Sequence, residues 1–381
     1  MITSIYVKRY WLPKLRTLNR REGSRVRKLL QNRDDAIPDE RVKTIYSSEI
    51  FGHLSLMLTA KFTSPRLQRA LDRTASEIYG RLACKHIKPP IKLIHSRSGF
   101  SRQIIPHAHR IGAKVLLEQS AAHPEFASKI LAEEYERWGV PPRHRTFIRP
   151  TGEMEFDIAR ADYVLTNSPF VADTVRPHVK NPNCIEMVYT GADLSRFRPA
   201  VERVDSTFRV LFVGSLSTFK GVMYLLRAFK NLRLPNAELI MVGNYHVDCP
   251  PEVRKSTTEF HHIPHVPYSE MPQYFSQASV FVCPYIAEGC ARTVLEAMAA
   301  GLPCIVTHNS GSVLTHGVDG LLVPARDEES LAEQLLLLYR HPDLGVSLGR
   351  AARRKALASL SWEHYMRNLL SVYRKLLAAN A

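Results

Sequence analysis

At 381 residues the chain exceeds what one ordinary core organises, so length alone gives the expectation of two α/β domains. Its hydrophobic fraction of 45% is globular, yet no apolar run nears the ~20 residues of a membrane span and the N-terminus lacks a secretory signal's apolar core, so the expected location is cytoplasmic. The formal charge of +16 asks for an anionic partner, while six cysteines without metal-ligand spacing (Cys84, Cys184, Cys249, Cys283, Cys290, Cys304) read as reduced thiols.

In chain order, the first element is a basic arm over residues 1–45. Its Lys8, Arg9, Lys14, Arg16, Arg20, Arg21, Arg25, Arg27 and Lys28 are opposed between residues 8 and 28 only by Glu22. Interleaved Tyr6, Tyr10, Trp11, Leu12, Leu15 and Leu18 give it the composition of an interfacial segment for an anionic membrane surface. Nucleic acid is the lesser expectation, and a solvated helix face the plainest one. Next come three apolar runs that read as buried parallel strands, 91–95 (IKLIH), 114–119 (KVLLEQ) and 163–167 (YVLTN), with a helix over 128–138. His95, Arg97, Ser98 and Gly99 close the first strand's edge. His123 follows the second strand in EQSAAHPEF, where a surface loop and a functional position are equally weighted.

The second half is more informative. Residues 208–214 (FRVLFVG) read as a strand, 215–221 (SLSTFKG) as a loop, and 222–232 as a helix with Met223, Leu226 and Phe229 inward. Lys220 thus stands at a helix entrance, where its ammonium adds a full charge to the helix dipole and suits a diphosphate. A strand over 279–284 then leads through a glycine-bearing loop to a short helix over 294–300, stopped by Gly301 and Pro303, and to a strand over 304–307. This parallel βαβ unit puts Glu288 and Glu296, with seven residues between them, beside a helix N-terminus that can hold an anion. Thr293-x-x-Glu296 is equally the pattern of a capping box, in which Glu296 would only bond its own cap. Residues 361–377 (SWEHYMRNLLSVYRKLL) read as an amphipathic terminal helix.

The segment EGCARTVLEAMAAGLP, with its Glu, seven residues, Glu pattern followed by E-A-M-A-x-G-x-P, resembles the retaining glycosyltransferases of family four (glycosyl transferases group 1). GSLSTFKG resembles that family's donor-phosphate loop, although many members carry Arg where this chain has Ser215. HHIPHVPYSEMPQYFSQASVFVCP resembles the stretch that brings backbone around His265 and Val266 to a nucleotide base. YTGADLSRFRP resembles the interdomain connection, and NSGSVLTHGVDGLLVPARD the segment after the second βαβ strand, with Ser310 and Gly311 near the donor.

The resemblance covers about 91–377 and implies an α/β fold of GT-B type, two Rossmann-like domains facing across a cleft with a C-terminal helix crossing back to the N-terminal domain. The expected domains are 1–198 on the acceptor side, 199–360 for the nucleotide sugar, and the crossover helix 361–381. The family's opening strand and glycine-rich loop have no clear counterpart before residue 91, so either the start lies upstream or the first unit is reduced.

The implied reaction moves a sugar from a nucleoside-diphosphate sugar to a glycan, lipid-linked or small-molecule acceptor, with retention. The resemblance implies catalytic roles for Glu288, Lys220 and His123. It implies donor contacts from Gly214, Ser215, Lys220, His265, Val266, Glu288, Gly289, Cys290, Ala291, Arg292, Thr293, Val294 and Glu296. No Asp-x-Asp motif occurs in the sequence, and neither a metal nor another cofactor is expected. The competing reading is an inactive GT-B scaffold that binds a membrane or nucleic acid. A dinucleotide-dependent oxidoreductase is disfavoured because no G-x-G-x-x-G follows a strand.

Overall fold

A computed structural model describes residues 2–3, 43–44, 65–145, 152–199 and 205–379. Apart from a two-residue parallel ladder, Ile2–Thr3 with Lys43–Thr44, the basic arm lies outside the described residues. The chain divides into two compact units, Met1–Leu117 with Arg160–Asp162, and Glu118–Ala159 with Tyr163–Ala381.

Two parallel sheets carry the fold. The smaller runs in the order β1 (Leu93–Arg97), β2 (Lys114–Gln119), β3 (Tyr163–Thr166) and β4 (Ile185–Met187). All three expected strands are present, the first beginning two residues later than its apolar run. In the first unit, Asp162 accepts from the Val115 amide at 2.9 Å, from Lys114 at 3.0 Å and from His109 at 2.8 Å. Burial alone would raise that carboxyl; these donors together hold it below its ordinary range.

The larger sheet comprises β5 (Phe208–Val213), β6 (Ala237–Val242), β7 (His261–Ile263), β8 (Val280–Cys283), β9 (Cys304–Thr307) and β10 (Leu321–Val323). Its spatial order is β10-β9-β8-β5-β6-β7. This is the doubly wound order 3-2-1-4-5-6, in which the winding reverses between β5 and β8, here in parallel register with Val210 opposite Val280. At such a reversal the connections leave in opposite directions and open a crevice at the carboxyl ends of the two central strands. β8 and β9 are buried at every position, the pattern of strands covered on both faces.

The helix Val222–Leu232 matches its expected bounds. Met223 and Leu226 are buried, and each fully buried aliphatic side chain of this kind contributes roughly 1.5–3 kcal/mol. Gly221 at its entrance is left-handed, at φ 64°, and a β-carbon there would run into the Pro284 carbonyl. Only glycine therefore lets the turn after β5 close onto the end of β8. The helix Trp362–Ala378 is capped by Ser361, whose hydroxyl oxygen accepts from the His364 amide at 3.3 Å. All six cysteines are free thiols. Among the described residues no helix is long and apolar enough to cross a membrane.

Candidate active site

The crevice between β5 and β8 is where the expected donor residues gather. Gly214 and Ser215 leave β5, and their loop is tied to the one after β6 by the Leu216 amide on the Asn244 carbonyl at 2.9 Å. A single 3-10 turn, Thr218–Lys220, then follows, capped by Ser217, whose hydroxyl oxygen accepts from the Lys220 amide at 3.3 Å. The Lys220 ammonium is ion-paired with Glu288 and lies 3.9 Å from the centre of the Tyr285 ring. Both partners are largely shielded, so Lys220 is not the solvated lysine that a helix entrance often carries.

Glu288 is set by its backbone: its amide donates to the Asn309 carbonyl at 2.8 Å, and the next amide, of Gly289, donates to its Oε1 at 3.2 Å. Gly289 is buried, and a β-carbon there would collide with the Ser120 carbonyl oxygen. The Ser168 hydroxyl donates to the Gly289 carbonyl at 2.7 Å. The loop from Glu288 to Ala291 is thus pinned on several sides, with the Ala291 amide on the Ser310 carbonyl at 3.1 Å.

The helix after this loop is Arg292–Ala299, two residues earlier at its start than the apolar pattern suggests. Its N-cap is Ala291, with no side-chain cap. The capping-box reading of Thr293 and Glu296 is therefore corrected: Thr293 lies inside the first turn and Glu296 bonds elsewhere. Glu296 is buried and accepts from the Tyr268 hydroxyl at 3.0 Å. Burial pushes its carboxyl up to about 7, against the Tyr268 hydrogen bond and the nearby Arg292 charge. Cys290 and Thr293 are half-buried, Val294 is buried, and Arg292 is exposed at the helix start. His265 and Val266 follow β7 at the same carboxyl edge, with the His265 amide on the Asn244 side chain at 3.1 Å. Ser310 is buried and Gly311 is left-handed, packed on the Gly289 carbonyl.

His123 is not on a loop surface. It is fully buried and forms the N-cap of the helix Pro124–Arg137, its Nδ1 accepting from the Glu125 amide at 3.3 Å. That helix starts four residues before its expected position, because proline at its first position and a histidine cap both favour a helix start there. The His178 ring stacks on His123 with centres 3.5 Å apart and planes 4° from parallel. Burial, and then the His178 charge, lower His123 to about 4. Its Nε2 has no hydrogen-bond partner among the described residues.

His123, Glu125 and His178 also form the described residues' group of three potential metal ligands within 4.8 Å of one another. The rings do not fit a shared ion as they stand. A ligand nitrogen aims its lone pair within its own ring plane, and two parallel planes 3.5 Å apart do not meet at one metal.

Several site residues were not anticipated. Tyr285 lies under Lys220 and donates its own hydroxyl to the Val213 carbonyl at 3.0 Å. Tyr268 covers Glu296, and Ser168 holds Gly289. Tyr285 stands three residues before Glu288, a proximity that could have flagged it; Tyr268 and Ser168 lie 28 and 121 residues from their partners and carry no local signal.

Residues 207–341 match the family described as Glycosyl transferases group 1. Spore coat protein SA of Bacillus subtilis is 28% identical over 58% of this chain and 67% of its own length. A D-inositol 3-phosphate glycosyltransferase of Pseudarthrobacter chlorophenolicus is 28% identical over 55% of this chain and 54% of its own. The chain therefore spans about half to two thirds of these relatives.

Among solved structures, sucrose-phosphate synthase of Thermosynechococcus elongatus superposes with a TM-score of 0.65, at 21% identity, over 81% of this chain and 79% of that one. HepE of Anabaena, crystallised with UDP, gives 0.60 at 15% identity, over 79% and 82%. These similarities show the fold to be of GT-B type, as the sequence resemblance implied.

Proposed function

We propose that this chain, with its group 1 glycosyl transferase segment at residues 207–341, is a retaining glycosyltransferase that uses a nucleoside-diphosphate sugar. The observation that carries the proposal is the shielded Lys220–Glu288 pair at the crevice between β5 and β8, where a doubly wound sheet binds phosphates. UDP in the crystallised HepE supports a nucleotide donor.

In this reading Lys220 exchanges its Glu288 partner for the diphosphate and stabilises the charge that grows on it as the glycosidic bond breaks. Glu288, released from the ion pair, accepts hydrogen bonds from donor-sugar hydroxyls. Glu296 accepts from the ribose, and backbone at His265 and Val266 contacts the base. The first turn from Arg292 to Val294, exposed at Arg292, adds the dipole of its helix to the phosphate site. Retention follows from front-face attack, with the leaving phosphate helping to take the acceptor proton, so the protein needs no nucleophile and works by positioning and charge stabilisation. His123, through Nε2, takes the acceptor side. No metal or other cofactor is required by these roles.

The acceptor is a glycan, a lipid-linked sugar or a small molecule, and the basic arm docks the enzyme on an anionic cytoplasmic membrane face. The test is hydrolysis and transfer with a panel of UDP-, GDP- and ADP-sugars, guided by mass spectrometry of any nucleotide that co-purifies. Release of nucleoside diphosphate from one donor, abolished in Lys220→Ala, is expected. No turnover and no diphosphate binding across the panel would overturn the proposal.

A further inference from the structure

The turn that presents Lys220 is held from behind. Thr218, buried, donates its hydroxyl to the Asp248 carbonyl at 2.6 Å. Asp248 is fully buried, and both of its carboxylate oxygens are engaged: Oδ2 accepts from the Tyr135 hydroxyl at 3.0 Å and Oδ1 lies 2.6 Å from His246 Nδ1. Tyr135, itself fully buried, is in the last turns of the helix Pro124–Arg137, whose first residue is capped by His123. Phe219 of the same turn packs against the Leu131, Tyr135 and Val140 cluster. The Phe219 carbonyl accepts from the Ile286 amide at 3.0 Å, two residues before Glu288.

We infer that Tyr135 and Asp248 are positioning residues for Lys220: the helix that begins at His123 fixes, through Asp248 and Thr218, the turn from which the ammonium reaches the diphosphate. The physical reason is satisfaction of buried polar groups. A buried carboxylate that loses one of its donors shifts to recover hydrogen bonding, and its carbonyl, with Thr218 on it, shifts with it. A hydrogen bond lost between two residues 113 apart in sequence then becomes a misplaced cation at the phosphate site. Preorganised charge loses its effect when it must move to meet its ligand.

The inference rests on the phosphate-binding role proposed for Lys220, and two readouts separate the two ideas. The first needs no ligand: hydrogen exchange of the Lys220 and Gly221 amides, which donate to the Ser217 and Thr218 carbonyls at 3.2 and 2.9 Å. In Tyr135→Phe and Thr218→Val these amides should exchange about tenfold faster, while Thr218→Ser, which keeps the hydroxyl, should restore protection.

Tyr224→Phe is the control. It removes a buried hydroxyl that donates to Glu134 of the same helix at 2.8 and 2.9 Å, so melting temperature should fall with the turn's exchange unchanged. The second readout is titration with UDP, where Tyr135→Phe should bind about fivefold to tenfold more weakly than wild type. Unchanged exchange at Lys220 in a folded Tyr135→Phe, or the same acceleration in Tyr224→Phe, overturns the inference. Wild type that fails to bind UDP, GDP and ADP while the exchange pattern holds overturns the proposed function and leaves the positioning intact.

Discussion

The crevice between β5 and β8 and the surroundings of His123 were both marked in the sequence, yet the structure treats them differently. At the crevice, short loops leave adjacent parallel strands at the same edge, so residues chosen by local pattern, Lys220 and Glu288, meet directly. At His123 the local pattern is a helix cap, and the ring's environment is decided by His178, which is 55 positions away (178 minus 123). A topological switch point turns sequence motifs into contacts because strand order supplies the proximity. A buried single side chain has no such rule to expose its neighbours.

If that contrast is right, substitutions at the crevice should move chemistry and affinity with little change in stability, and those at His123 the reverse. The largest expected effect is on turnover. Glu288→Gln keeps shape and its place in the loop, but loses the charge that orders donor hydroxyls; turnover should fall about tenfold or more, each ~1.4 kcal/mol of lost transition-state binding being tenfold. Melting temperature should barely change, and nucleoside-diphosphate affinity should hold or rise slightly as Lys220 is freed. Steady-state kinetics with the active donor, beside thermal unfolding, check this.

A pH dependence sharpens the role of Glu296. Its carboxyl is raised to about 7 in the folded protein, above the ordinary value of 4.5. The folded state therefore holds this proton more tightly than the unfolded chain does. Its contribution to stability is fully present below about 4.5 and is lost as pH rises through about 7. Glu296→Gln should remove that loss, flattening the comparison between pH 5 and 8. Ribose binding runs the other way, since only the carboxylate is a strong acceptor: wild-type UDP affinity should rise severalfold from pH 6 to 8, and Glu296→Gln should show no such rise. Calorimetric titration at three pH values decides it.

The smallest effect on donor binding is expected at His123. Its folded value of about 4 lies below the ordinary 6.5, so the neutral ring's contribution to stability is present above 6.5 and lost as pH falls toward 4. His123→Asn retains an N-cap and should lose this acid sensitivity. Turnover should drop only a fewfold and UDP affinity should be unchanged; a large loss of affinity would place His123 at the donor instead.

Much of the larger sheet was legible because its strands are short apolar runs ended by glycine or proline, and Val222–Leu232 and Cys304–Thr307 fall at their expected bounds. The helices that start earlier than expected, Pro124–Arg137 and Arg292–Ala299, do so for a shared reason. Hydrophobic periodicity detects the buried face, whereas the first turns are partly exposed, at Glu125 and Phe126 in one helix and at Arg292 in the other. Glu296 shows the limit of motif reasoning in the other direction. The Thr-x-x-Glu pattern is present, but Ala291 is the cap, and burial beside Tyr268 decides what the carboxylate does. The clamp from Tyr135 to Asp248 was invisible because its partners share no local pattern.

Titration of wild type and Lys220→Ala with UDP, GDP and ADP tests most directly whether Lys220 is a diphosphate ligand. Loss of a shielded charged contact should weaken binding of the preferred diphosphate by on the order of 1.5–3 kcal/mol, about tenfold to more than a hundredfold. Melting temperature should change little, because Glu288 remains partly exposed and can recruit water. Equal affinity in the two proteins would contradict the account and leave Lys220 and Glu288 as a structural ion pair.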